Sequence, residues 1–119
     1  AKKVERFSKI AESAAKQSGR GIIPKIYPPI DMKTAVCRAE GQKLLCYELE
    51  KGLSLKEAVK DKRFDEISVF IGPEGGYTAE EAESAEENGA LSVTLGKRIL
   101  RCETAPLFVL SCLMYEFDL

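Results

Sequence analysis

Two stretches of this sequence combine residue types in a way that chemistry can use. The first is Gly72-Pro73-Glu74-Gly75-Gly76, set between the apolar run Ile67–Ile71 and the helix-start signal Thr78-Ala79-Glu80-Glu81. Glycine loops in that position usually cradle phosphates, because backbone N–H groups and a helix N-terminus favour negative charge. Glu74 opposes such a ligand. The loop is also neither G-x-G-x-x-G nor a P-loop, which removes the main support for a dinucleotide or a nucleoside triphosphate. Pro73 stiffens the turn, while Gly75 and Gly76 permit positive φ and a close backbone approach. Backbone groups brought that close can read a purine edge or a ribose, and a carboxylate suits a ligand carrying positive charge. The plainer alternative is a glycine turn that only reverses the chain.

The second stretch runs from Leu95 to Ala105. Lys97, Arg98 and Arg101 lie there beside Glu103 and Thr104, with Ile99 and Leu100 embedded among the charges. Apolar residues at a loop of this kind suggest the wall of a pocket, against the alternative of a solvated charged loop. The chain has no histidine, so Ser-His-Asp and Cys-His catalysis are excluded. Any proton transfer must use carboxylates, Lys, Tyr or water. Cys37, Cys46, Cys102 and Cys112 form no C-x-x-C pair, and a mixed zinc site has no histidine to complete it. They read as small apolar residues of a reduced compartment, and no metal is expected.

These stretches need elements to hold them. Length indicates one domain, and the 45% apolar and 31% charged composition fits a soluble globular protein. No apolar run approaches a bilayer span, and the charged start is not signal-like, so the expected location is the cytoplasm. Net charge is −1, but residues 1–60 carry 13 Lys/Arg against 7 Asp/Glu and residues 61–119 carry 5 against 12. The split allows a basic face for an acidic partner.

Val4, Phe7, Ile10, Ala11 and Ala14 recur at helical spacing, predicting an amphipathic helix over 2–17 that ends at Ser18-Gly19-Arg20-Gly21. Ile22–Pro29 suits a short edge strand or an extended segment, since it holds three prolines. Asp31 can cap a short helix through about Arg38, and Lys43–Leu49 reads as a buried strand. Ser54 and Glu57 form a capping-box pattern for a helix ending near Lys62. Ile67–Ile71 is the next strand, Thr78–Glu81 a second capping box, and Asn88-Gly89 a helix stop. Leu91–Leu95 gives another strand. A last helix starts at Ala105 with Pro106 in its first turn, and Leu107, Leu110, Met114 and Phe117 form a stripe read most simply as core-facing. The alternation indicates a mainly parallel α/β sheet with helices on both faces. Ligands of such sheets sit beyond the carboxyl ends of the strands, so the loops after Leu49, Ile71 and Leu95 should share one cleft.

Ile71–Glu81 followed by Leu95–Ala105 resembles the C-terminal domain of the RsmE-type methyltransferases of the SPOUT superfamily, which methylate N3 of a uridine in 16S ribosomal RNA. Gln17–Arg20 and Pro24–Pro29 match the usual opening of that domain, and the resemblance covers nearly the whole chain. It implies a SPOUT α/β fold over residues 1–119 with a C-terminal trefoil knot, although ordinary connections avoid knots. It implies S-adenosylmethionine as cofactor, bound by Ile71, Gly72, Pro73, Glu74, Gly76, Leu95, Gly96, Ile99, Leu100 and Thr104. It also implies a homodimer acting on 16S ribosomal RNA or the small ribosomal subunit. Family members carry an N-terminal PUA-like RNA-binding domain, which is expected to lie outside this chain. A sulfonium is cationic and an adenosine needs close backbone contacts, so a glycine loop containing Glu74 is compatible with this cofactor.

Methylation at N3 requires its proton to leave as the nucleophile lines up behind the methyl group. Glu103 or Glu74 is expected to accept that proton, and Arg20 or Arg101 to stabilise the uridine anion or hold a phosphate. The competing role for Arg101 is a salt bridge to Glu103, and for Arg20 a helix-end charge. Rival functions are a SPOUT enzyme with another RNA target and a non-catalytic module of the same fold. A receiver or flavodoxin-like domain would need an acidic cluster or phosphate loop, and neither is apparent.

Overall fold

The computed structural model describes residues 2–47 and 53–118, and the described residues separate into two units divided between Asp31 and Met32. In the first unit, α1 spans Lys2–Ser18. It stops as expected: Gly19 takes φ 75°, and the Arg20 N–H donates to Ala15 O at 2.8 Å. Ala15 is its buried residue, while Phe7 and Ile10 are exposed. Beyond it, residues 22–30 form no strand. Pro24, Pro28 and Pro29 lack the N–H groups a ladder needs, so of the two readings offered by the sequence the unpaired segment is the one found.

The second unit is a three-stranded parallel sheet ordered β2-β1-β3, with β1 (Gln42–Cys46) central, β2 (Ile67–Ile71) on one side and β3 (Ala90–Val93) on the other. Leu44 and Leu45 of β1 are both fully buried. Adjacent strand residues point to opposite faces, and the two leucines accordingly enter different cores. Leu44 packs with Leu55, Ala58 and Val59 of α3 (Leu55–Val59), with Val93 of β3, and with Val109 and Leu113 of α5 (Ala105–Phe117). Leu45 packs with Val36 of α2 (Met32–Arg38), Ala82 and Ala85 of α4 (Ala79–Glu87), and Ala90 of β3. Helices therefore cover both faces. This explains why apolar residues adjoin one another along the strands, as at Leu44-Leu45 and Val69-Phe70-Ile71, rather than strictly alternating with polar ones.

The helix starts follow their caps. Thr78 N donates to Glu81 Oε1 at 2.9 Å and Glu81 N to Thr78 Oγ1 at 3.1 Å, a complete capping box. Gly89, at φ 93°, ends α4 where Asn88-Gly89 indicated. Ser54 Oγ accepts from Glu57 N at 3.1 Å and opens α3, which ends at Val59, sooner than the expected Lys62. Lys60, at ψ 132°, leaves the helical backbone there, and Asp61 follows at φ 56°. The expected strand end at Leu49 lies outside the described residues.

The last helix requires a correction. Its buried residues are Ala105, Val109 and Leu113, with Cys112 and Phe117 packed partly against them. Phe117 meets Phe64 edge-on, ring centroids 6.1 Å apart. Leu107, Leu110 and Met114 are 69, 54 and 53% exposed, so most of the stripe read as core-facing points outward. The helix is apolar on nearly all sides, and periodicity alone cannot choose among several apolar stripes. The core selects the one that meets Leu44 of β1 and Val93 of β3 through Val109 and Leu113.

Candidate functional site

The carboxyl ends of the three strands open into one cavity of about 560 Å³. Cys46 lines it from β1 and Tyr47 from the residue just after, Ile71 from β2 and Val93 from β3, followed by the loops Gly72–Tyr77 and Thr94–Glu103. This is the cleft that parallel topology places at the strand ends. Its volume lies within the range of small-molecule sites.

The glycine loop is shaped by two local constraints. Gly76 N donates to Pro73 O at 2.8 Å, closing a tight turn, and Gly76 continues at φ 73°, a conformation that L side chains rarely adopt. At Gly72, a Cβ would sit 3.3 Å from two ring atoms of Tyr77 and 3.4 Å from the Gly76 carbonyl carbon. The Tyr77 ring thus lies where a side chain on residue 72 would go, and it braces the turn from below. Burial, with smaller contributions from Cys46 and Glu81, pushes the Tyr77 phenol up to about 12. Burial alone pushes the Cys46 thiol up to about 11. Both groups therefore stay neutral near pH 7.

The second loop is anchored at Thr94. Its N–H donates to Leu53 O at 2.8 Å and its carbonyl accepts from Leu55 N at 3.1 Å, while Gly96 N donates to Thr94 Oγ1 at 3.3 Å. Gly96 has φ 127°, again a glycine conformation. At the far end, Thr104 N and Ala105 N both donate to Arg101 O, at 2.9 and 3.0 Å, turning the chain into α5. Cys102 Sγ donates to Glu103 Oε2 at 3.4 Å. The hydrogen bond to Glu103 is the main cause that raises the thiol's pKa, with Glu74 adding to it. One carboxylate from each loop therefore faces the same small thiol.

Of the residues singled out in the sequence, Ile71, Gly72, Pro73, Glu74, Gly76, Leu95, Gly96, Ile99, Leu100, Arg101 and Glu103 all line this cavity. Thr104 does not: it is exposed and serves as the backbone N-cap of α5. Arg20 is exposed in the unit of residues 1–31. Among the described residues Arg101 forms no salt bridge with Glu103, whose carboxylate takes the Cys102 thiol instead. The guanidinium is left available to a ligand. Sequence reasoning missed Cys46, Tyr47, Thr94 and Tyr77. The first three are strand-end residues with no motif of their own, whereas Tyr77 adjoins the glycine loop and its aromatic ring was the available signal.

A family model described as an RNA methyltransferase domain matches residues 1–114 of this chain. Two relatives, each named ribosomal RNA small subunit methyltransferase E, are similar to it. That of Mesomycoplasma hyopneumoniae is 41% identical over 112 residues, covering 92% of this chain and 48% of the relative. That of Bacillus subtilis is 34% identical, covering 99% and 49%. The chain spans about half the length of the curated relatives it matches. Among solved structures, the ribosomal RNA small subunit methyltransferase E of Neisseria gonorrhoeae bound to S-adenosyl methionine superposes with a TM-score of 0.84 at 33% identity, covering 96% of this chain and 48% of that one.

Proposed function

The chain belongs to the RNA methyltransferase domain family, and we propose that it is the part of an enzyme that transfers a methyl group from S-adenosylmethionine to N3 of a uridine in 16S ribosomal RNA. The observation that carries this reading is the shared cavity, which gathers the glycine loop, the cationic loop and two carboxylates at the carboxyl ends of a parallel sheet. The Neisseria gonorrhoeae relative, named for the same reaction class, holds S-adenosyl methionine. The cavity fits such a group chemically. Gly72 and Gly76 bring bare backbone to its wall, Ile71, Leu95, Ile99 and Leu100 add apolar surface, and Glu74 adds negative charge. Ile71, Gly72, Pro73, Glu74, Gly76, Leu95, Gly96, Ile99 and Leu100 would hold the cofactor, with Thr104 kept as an outer candidate.

When bound, S-adenosylmethionine supplies an electrophilic methyl group on a cationic sulfur. Glu74 favours positive charge at the cavity wall. Glu103 would accept the proton that N3 must lose for the methyl group to pass from sulfur to nitrogen, the methyl–sulfur bond breaking to leave a neutral thioether. Arg101 stabilises the uridine anion or a neighbouring phosphate, a role that its planar, permanently charged fork suits. Arg20 is the second candidate for that role. Tyr77 and Cys46, neutral at working pH, hold the loops and move no proton.

The same reading includes the finer architecture. The segment after Thr94 would be threaded as a trefoil knot, as the resemblance of Leu95–Ala105 to the SPOUT family implies. Two copies would pair through α5, supported by the outward face of Leu107, Leu110 and Met114. A ribosomal RNA substrate would place the enzyme in the cytoplasm.

The test has two parts. Calorimetric titration of the chain with S-adenosylmethionine should give one saturable site. Small ribosomal subunits incubated with labelled cofactor and the full-length enzyme that contains this chain should then yield N3-methyluridine in 16S RNA on digestion and mass spectrometry. Absence of cofactor binding refutes the site, and label on another atom or another RNA refutes the substrate.

A further inference from the structure

The most basic part of the molecule lies outside the cavity. Residues 1–31 carry seven Lys/Arg against three Asp/Glu, and the cations of α1 are ordered. Lys2, Arg6 and Lys9 follow one another at spacings of four and three, and Ser13 and Gln17 continue the line at spacings of four. On a helix these spacings place all five on one face. All five are exposed. Arg6, Lys9, Ser13 and Gln17 border one shallow groove whose apolar part is Ile10 and Ala14. Every member of the line can donate hydrogen bonds, none is a carboxylate, and the line extends about 22 Å along the helix axis.

The charges on this face are available. Lys16 is paired with Glu12 at 2.9 Å, on the flank of the line. Among the described residues Lys2, Arg6 and Lys9 form no ion pair, and Arg6 lies over the exposed ring of Phe7 at 5.0 Å. Lys, Arg, Ser and Gln are the types that contact nucleic-acid backbones, and a row of them fixes register without reading sequence. A lipid surface would call for bulky apolar residues all along the adjoining face. Here that face supplies Phe7, Ile10 and Ala14, and Glu5 and Glu12 lie on the other flank.

We propose that this face of α1 is an RNA-backbone docking surface, in which Lys2, Arg6 and Lys9 neutralise phosphates and Ser13 and Gln17 bond to them or to the sugars. The inference rests on the RNA-directed reading above and assigns a surface for holding the substrate. It gives Lys2, Arg6 and Lys9 no part in the chemistry.

The test uses the whole chain and a fluorescein-labelled, mixed-sequence 20-nucleotide single-stranded RNA, followed by fluorescence anisotropy between 50 and 300 mM salt. The triple variant Lys2→Gln/Arg6→Gln/Lys9→Gln should lose about 2 from the slope of log affinity against log salt, at about 0.7 per phosphate contact, and bind about 100-fold more weakly at 0.1 M salt. A charge-matched control, Lys56→Gln/Lys60→Gln/Lys62→Gln, removes three exposed lysines in and after α3 and should keep the parent slope within about 0.5. Far-ultraviolet circular dichroism verifies that α1 is retained. The proposal is overturned if the parent chain does not bind this RNA, if the α1 variant keeps the parent slope, or if the control loses as much. It is also overturned if the same three residues instead govern binding to phosphatidylserine vesicles. Calorimetry with S-adenosylmethionine runs in parallel on all three proteins. Loss of cofactor binding throughout, with the RNA result intact, would refute the proposed reaction and leave the docking surface standing.

Discussion

Replacing Gly76 by Val should weaken S-adenosylmethionine binding far more than it weakens the fold. Gly76 lines the cavity, sits at φ 73°, and donates the 2.8 Å hydrogen bond that closes the Pro73 turn. A β-branched residue in that conformation carries strain of about 1–3 kcal/mol. The free protein can relieve it by shifting the loop to negative φ, which breaks the turn bond. The total stability of a chain of this length is on the order of 6–18 kcal/mol, so the variant should fold, with a Tm lowered by about 3–12 °C. Binding must then restore the strained turn as well as seat the ligand beside two added methyl groups. The strain alone corresponds to a loss of about 5- to 150-fold in affinity. Gly75→Ala is the matched control. A Cβ there meets nothing within 4 Å, its φ is not in the left-handed region, and Gly75 does not line the cavity. It should bind as the parent does. Isothermal titration of both variants, with thermal melts to verify folding, decides the matter. A folded Gly76→Val protein of parent affinity would refute the argument that this backbone meets the cofactor, and an equal loss in Gly75→Ala would show that the loop responds to any side chain.

Other outcomes are expected. In an assay of methyl transfer, Arg101→Ala should lower single-turnover rate by at least tenfold with cofactor affinity within about twofold, because the guanidinium is assigned to uridine or phosphate; loss of both together would make its role structural. Light scattering at micromolar concentration should give the mass of a dimer, and Leu110→Asp, on the exposed face of α5, should shift it to monomer with α5 still folded. Stability should decline at alkaline pH. The Cys46 thiol has its folded pKa raised to about 11 from 9.0, so its contribution is complete below pH 9 and is lost as pH rises towards 11, at up to about 1.4 kcal/mol per pH unit. Urea titrations of the parent and of Cys46→Ala between pH 8 and 11 should converge as pH rises. Thr78→Ala, which deletes one half of the α4 capping box, should cost about 1 kcal/mol and leave cofactor affinity near that of the parent.

The local grammar of the chain was sufficient for much of the architecture. Thr78 and Glu81, Asn88 and Gly89, and Pro106 mark helix ends through backbone groups within a few residues of themselves, and those ends are where the sequence places them. Continuous apolar strand runs indicated a sheet covered on both sides, and Leu44 and Leu45 entering opposite cores is its direct expression. The two loops were likewise legible as chemistry before they were known to share a cavity, because glycine, carboxylate and guanidinium have properties that do not depend on context. What required tertiary structure was every choice among locally equivalent options. An extended Ile22–Pro29 could pair only if a neighbouring strand accepted its few N–H groups, and it forms no strand. The α5 sequence offers several apolar stripes, and only contact with the sheet selected Ala105, Val109 and Leu113 over Leu107, Leu110 and Met114. Arg101 and Glu103 are near enough in sequence to pair, yet the turn into α5 gives Glu103 to the Cys102 thiol. Tyr77 became a brace for Gly72 only because the turn folds the ring back onto it. Local sequence sets what each residue prefers, whereas long-range packing decides which preferences are satisfied together.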